Sequence, residues 1–323
     1  MYSSARWVRA YDPARGESRA CLLLRVGPTS RPFSGHPTGL ATLPIYDQTY
    51  RRYEARAPLR RARFWPITRE ALRLVLVRRW FLALLAAAWV PFVVQVIRIY
   101  VVTRFPEANR ILPVDGRLFG ELLSWQAAFT MFVAIFGGAG LVANDLRTGA
   151  ILVYLSRPLT RRDYVFGKLG VLLALNLAVT LVPALALYAA ALALAPDMFW
   201  KWDLAWIGPA ILAESLAISL VMGLLVLAVS ALSKSARVAG LGFFGLLIGL
   251  DAARGILYAL YRRPETALLS LQANLRSLGV ALFGMTESAV TLPWPYPTVV
   301  LAAVCAGCAL VLRSRVRAVE IVR

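Results

Sequence analysis

The sequence predicts an all-α integral membrane protein, and three observations predict it. Of its 323 residues 59% are hydrophobic and only 16% are charged, where an ordinary soluble domain carries about 25% charged residues. Six apolar runs are each long enough to cross a bilayer core, which takes about 20 residues as a helix. The runs are rich in Leu, Ala and Val and lack the alternation over about 10 residues that a barrel strand would show. A helix or a closed barrel is all that satisfies the backbone polar groups in lipid.

Residues 1–63 are rich in Arg, Pro and Gly without lasting periodicity and read as a largely disordered cytoplasmic arm. The apolar patch 21–24 is too short for the core of a secretory signal, so the first span is expected to act as the anchor. From 64 to 79 the apolar Phe64, Trp65, Ile67, Leu72, Leu74, Val75 and Leu76 mix with Arg69, Arg73, Arg78 and Arg79. That pattern fits an interfacial amphipathic helix with guanidinium groups at anionic head groups; a plain basic flank of the first span accounts for it as well.

The spans are read at about 80–102, 118–143, 165–195, 205–232, 238–261 and 296–312. An even number places both termini on one side. The N-terminal arm with the segment that follows it, the 144–168 loop, the 233–237 loop and the C-terminal tail hold 27 of the 36 Lys and Arg, which makes that side cytoplasmic. On the opposite side, 103–117 carries Pro106 and Pro113, and 196–203 carries Trp200 and Trp202, suited to the head-group belt. The third connection, 262–295, contains apolar pieces at 268–275 and 278–283, each too short to span, and is expected to form re-entrant or interfacial helices. No internal repeat suggests the paired halves of a secondary transporter.

The net charge of +19 does not indicate nucleic acid, because the basic residues cluster at alternate sides of the apolar runs and no basic, aromatic-interleaved face accompanies them. His36 is the only histidine, so a histidine-rich metal site or a Ser-His-Asp triad is excluded by inventory. Cys305 and Cys308 have C-x-x-C spacing but lie in an apolar run, where thiols behave as small hydrophobes. No catalytic, cofactor-binding or metal-binding residue is predicted.

Polar residues inside the spans are few and costly there. Asp251 and Arg254 stand i, i+3 in the fifth span and can pair on one helix face; they face a dimer interface or transport path, or form a structural ion pair. Glu214, beside Ser215 and Ser219 in the fourth span, has the same two readings. Gln126 and Asn176 are expected to hydrogen-bond between helices, and Gly137, Gly138 and Gly140, like Gly240, Gly242 and Gly245, to allow close helix approach.

Between the second and third spans, residues 145–168 read DLRTGAILVYLSRPLTRRDYVFGK. Leu146, Ile151, Leu152 and Leu155 can form the apolar side of a short helix that Ser156, Arg157 and Pro158 end, since proline cannot continue it. Arg161, Arg162 and Lys168 would hold the next span at the cytoplasmic surface; ordinary positive-inside loop residues would look similar. Asp145, Gly149, Leu155-Ser156, Pro158, Thr160-Arg161, Tyr164 and Gly167-Lys168 resemble the acidic-x-x-x-Gly, Leu-Ser-x-Pro-x-Ser-Arg and Gly-Lys signature of ABC-2 type (type 2 ABC exporter) permeases. Thr160 stands where that family often has Ser, and Arg147 where it often has a second acidic residue. The order of parts over 64–323 is similar too: amphipathic elbow, six spans, a coupling helix between spans 2 and 3, and re-entrant pieces before span 6.

The resemblance implies a subunit of a bacterial cytoplasmic membrane that dimerises with a second permease copy and pairs with cytoplasmic ATPases to export or flip a substrate. Asp145, Gly149, Leu155, Ser156, Pro158, Arg161, Arg162 and Lys168 would then belong to the ATPase-coupling loop. These residues contain no G-x-x-x-x-G-K-[ST] phosphate loop, so ATP and Mg are expected in a partner chain and none in this one. The stretch 45–53, IYDQTYRRY, resembles the beginning of related permeases, and 1–43 is accordingly expected to be a start-site extension. Two other classes remain as alternatives: an ATP-independent secondary transporter using Asp251, Arg254 and Glu214 as relay groups, and a membrane-embedded enzyme, for which paired carboxylates at sensible spacing are missing.

Overall fold

The computed structural model describes residues 8–11, 18–21, 65–105, 107, 115–150, 160–194, 206–285 and 292–315. The chain divides into two units, Met1–Pro58 and Leu59–Arg323. In the first, strand β1 (Val8–Tyr11) pairs antiparallel with β2 (Ser18–Cys21), Val8 opposite Cys21 and Tyr11 opposite Ser18. Four residues per strand give too few alternations to register as a period, and the sequence reading assigns no element there. The remainder of the expected arm, including 22–64, lies outside the described residues.

In the second unit every regular element among the described residues is helical. Helix α1 (Trp65–Leu76) takes Pro66 in its first turn, where a missing N–H removes no intrahelical bond. Thr68 and Val75, seven residues apart on one face, are buried, and Arg69 and Arg73 are exposed.

Six crossings follow, each long and apolar enough to span a membrane. The first, over 79–104, is expected as one helix and is built from two pieces, α2 (Arg79–Ala87) and α3 (Val90–Arg104). Pro91 explains the break: it offers no N–H to the carbonyl of Ala87, and its ring crowds that carbonyl. The next four are α4 (Arg117–Thr148), α5 (Arg161–Leu194), α6 (Ile207–Leu232) and α7 (Ala236–Tyr261). A 3-10 turn over Pro264–Leu269 leads into α8 (Leu271–Leu282), and α9 (Pro295–Arg315) is the sixth crossing.

The two apolar pieces read at 268–275 and 278–283 therefore form a single helix with a 3-10 lead-in. Ser270 caps it, its hydroxyl accepting from the Ala273 N–H at 3.2 Å. At about 1.5 Å per residue α8 is about 18 Å long, short of a crossing. Helix α4 is about 48 Å long on the same measure and exceeds the hydrocarbon core, which is about 30 Å thick. Asp145, expected past the end of the span, and Leu146, expected on the short helix, consequently sit in its last turn. Gly149 ends it with φ 70°, a left-handed conformation that glycine adopts without the Cβ clash other residues meet.

The core forms around α6, of whose apolar window 67% is buried against 11% for α7; α4, α5, α7, α8 and α9 all pack on it. Lipid tails are as apolar as leucine, so helices associate through close packing and hydrogen bonds, which favours small and hydroxylic residues at contacts. Gly138 of α4 shows the packing part: a Cβ there would lie 2.8 Å from both Leu172 of α5 and Val226 of α6. Ser230 of α6 shows the hydrogen-bonding part, donating to the Ala139 carbonyl at 2.7 Å and accepting from the Ala143 N–H at 2.9 Å.

Candidate functional site

The conspicuous polar arrangement in the second unit lies where the end of α4 meets the start of α5. Tyr164 and Lys168 are one turn apart on α5 and so share a face. Both reach the same oxygen on α4: Lys168 Nζ lies 2.8 Å from Asp145 Oδ2, and the Tyr164 hydroxyl donates to that atom at 2.8 Å. The ammonium also lies 5.6 Å from the Tyr164 ring centroid, within the range of a cation–π attraction. Tyr164 is 1% exposed and Lys168 6%, so the group is closed over from solvent on the α5 side. A charge-assisted bond and a phenol bond converging on one carboxylate fix the distance between two helix ends that the chain joins through residues 149–160.

The start of α5 is set by a second local device. Thr160 precedes the helix; its hydroxyl accepts from the Asp163 N–H at 3.2 Å, and Asp163 Oδ2 accepts from the Thr160 N–H at 3.0 Å. This reciprocal arrangement is a capping box built with Asp at its fourth position, and it accounts for a hydroxyl residue at 160. On the other flank, Thr68 of α1 donates to the Gly167 carbonyl at 2.9 Å, and a Cβ on Gly170 would come within 3.1 Å of the Thr68 hydroxyl. Helix α1 is thus held against the first turns of α5, beside Lys168.

Of the residues predicted for this site, Asp145, Gly149 and Lys168 take part in the geometry just described. Arg162 is exposed, and Arg161 is the first residue of α5. Leu155, Ser156 and Pro158 lie outside the described residues, as does the part beyond residue 150 of the short helix expected from Leu146 to Leu155. Sequence reasoning missed Thr68, Asp163 and Ser230. The T-x-x-D spacing just ahead of an apolar run was the available signal for Asp163; a lone Thr or Ser inside a helix gives none.

The charged residues singled out within the spans fall in two places. On α7, Arg254 Nη1 lies 3.4 Å from Asp251 Oδ1, and Ser270 of the α8 cap donates to the same oxygen at 2.8 Å; the Arg254 and Asp251 side chains are 37% and 42% exposed. On α6, Glu214, Ser215 and Ser219 are buried. A pair that the sequence reading did not single out joins α3 to α4, with Arg98 Nη1 2.6 Å from Glu121 Oε2. The hydrogen bonds expected between helices from Gln126 and Asn176 are not made among the described residues, where both side-chain amides are buried without a partner. Thr130 donates to the Ala127 carbonyl and Thr180 to that of Asn176. Gly240 contacts Ile135 as a close-approach residue would, whereas Gly245 has nothing within 4 Å of its Cβ position.

A family model described as ABC-2 family transporter protein matches residues 52–268. No curated protein matches the chain.

Proposed function

The chain belongs to the ABC-2 family of transporter proteins and is a multi-pass membrane transport permease, and from that premise we propose that it is the permease half of an ATP-driven exporter of a bacterial cytoplasmic membrane. Cytoplasmic ATPase subunits supply the nucleotide chemistry, a second permease copy completes the transport path, and both termini face the cytoplasm. The observation that carries this reading is the Asp145–Tyr164–Lys168 group. It makes the end of α4 and the start of α5 one mechanical unit, with residues 149–160 as the handle between them. A push on that segment by a closing ATPase pair would move two membrane-crossing helices together, and α1 with them through Thr68.

Such a push shifts access only if the two states differ in contacts. The exposed side of α7 supports a second copy as the source of those contacts. Asp251 and Arg254 are part-exposed within a span, where contact with lipid is costly, and Gly245 and Gly249 have open space at their Cβ positions. Affinity purification of the native complex from membranes tests the reading: an ATPase recovered in stoichiometric amount supports it. Reproducible recovery without an ATPase, together with uptake driven by an ion gradient in vesicles lacking ATP, would replace it with a secondary transporter.

A further inference from the structure

Helix α6 carries a single carboxyl group, Glu214, two turns from its Trp206 end. It is 3% exposed, and among the described residues its buried Oε2 has no hydrogen-bond partner and no ion pair reaches it. What covers it is α8. A Cβ on Gly279 would stand 3.2 Å from Glu214 Oε1 and 3.4 Å from its Cδ, so the carboxyl lies against the α8 backbone at a turn with no side chain to keep it away.

Among the described residues no charged group on the elements around α6 forms an ion pair with Glu214. Glu121 of α4 pairs with Arg98, Lys168 of α5 with Asp145, and Asp251 of α7 with Arg254 and Ser270. Arg276 of α8, one turn before Gly279, is exposed and makes its own contact. Of the other titratable groups on these elements, Arg117 of α4 pairs with Asp115 and Tyr188 of α5 is stacked edge-on with Phe119; Arg147 of α4, Arg162, Asp163 and Tyr164 of α5, Arg237, Tyr258 and Tyr261 of α7, and Tyr296, Cys305, Cys308, Arg313 and Arg315 of α9 make no ion pair with Glu214. None of these supplies a positive charge to Glu214. A bare carboxylate enclosed without a counter-charge is strongly disfavoured, whereas a carboxyl that holds one positive charge is not.

We propose that Glu214 is a binding site for a single positive charge, a proton or a small monovalent cation, and that its occupancy latches α8 onto α6. Occupied, the carboxyl is neutral and Gly279 seats on it. Emptied, it draws water, and α8 lifts. The sign follows directly: the seated form binds the charge more tightly than the lifted form, so seating weakens as pH rises. The inference rests on the helical bundle alone and stands or falls independently of the ATPase partner.

Hydrogen exchange of the α8 amides in the full-length protein, held in lipid nanodiscs, reads the latch. Glu214→Gln cannot ionise and is the reference, since comparison at equal pH cancels the intrinsic base catalysis of exchange. Through the pH range in which Glu214 titrates, α8 of the wild type should lose protection relative to Glu214→Gln by up to about tenfold per pH unit, the slope for one linked proton. Adding Na⁺ or K⁺ at alkaline pH restores the protection if the site takes a metal cation and leaves it unchanged if it takes a proton alone. A protection ratio that stays constant across pH overturns the proposal. If Glu214→Gln loses protection throughout α5 and so misfolds, the wild-type protein decides: dicyclohexylcarbodiimide, which attacks protonated buried carboxyls, should modify Glu214 in acid and not in alkali. Modification that is absent, or the same at both, overturns it equally.

Discussion

Replacing Asp145 by Leu removes the one atom on which Lys168 and Tyr164 converge. Lys168 is 6% exposed, so the variant takes the carboxylate away from an ammonium in a nearly closed site. Breaking a buried ion pair from one side costs about 3–5 kcal/mol. Asp145 itself keeps 17% of its side chain exposed, and water admitted there places the loss at the lower end, about 3 kcal/mol. The phenol also loses its acceptor, which adds about 1 kcal/mol. Lys168→Met costs less, about 2 kcal/mol, because the carboxylate keeps Tyr164 and some water.

In the double variant Asp145→Leu, Lys168→Met the buried ammonium is gone as well, and an apolar pair of similar volume is close to neutral. The two losses should therefore fail to add by at least about 2 kcal/mol. Thermal unfolding of the purified protein in nanodiscs, followed by tryptophan fluorescence, measures the cycle. Additivity of the two single changes within about 0.5 kcal/mol would refute the reasoning, since residues that do not interact behave that way. Asp145→Arg tests transmission: it should insert into membranes yet lose ATP-driven transport, and a wild-type transport rate would remove Asp145 from the coupling path.

Three further outcomes are expected. Gly149→Pro should leave membrane insertion intact and uncouple transport, because proline is held near φ −65° and cannot adopt the φ of 70° seen here; wild-type transport by this variant would contradict it. Thr160→Ala should lower stability by about 1 kcal/mol through loss of the α5 cap, with Thr160→Ser near wild type, and equal unfolding midpoints for Ala and Ser would count against the capping box. With Cys21, Cys305 and Cys308 replaced by Ser, Gly249→Cys should form an oxidant-induced dimer in native membranes, whereas a cysteine at Leu225 in the core should not; the reverse pattern on a non-reducing gel would exclude α7 as the contact between copies.

The crossings were legible because each is a run of apolar residues whose length is dictated by the bilayer, and neither property depends on neighbouring helices. The proposal that both termini face the cytoplasm rests in the same way on where arginines sit along the chain. Legibility stopped where spacing along one helix no longer decides the partner. Asp145, Tyr164 and Lys168 were all noted as members of one segment, but the convergence of two side chains from α5 on a carboxylate from α4 requires the helices to be placed side by side. Gln126 and Asn176 show the opposite limit: an amide in an apolar run predicts a partner, and among the described residues neither amide has one.

By itself, then, the sequence determined an all-α membrane protein with six crossings, and a signature segment between the second and third. Composition and run length answer directly to lipid, a solvent that is the same for every residue at a given depth. Tertiary structure alone decided that α6 is the centre and α7 the exposed flank, that Lys168 closes on Asp145, and that Glu214 lies under Gly279. These depend on the rotation and offset of one helix against another. In lipid those are set by small-residue packing and a few hydrogen bonds rather than by the hydrophobic pattern that sequence displays.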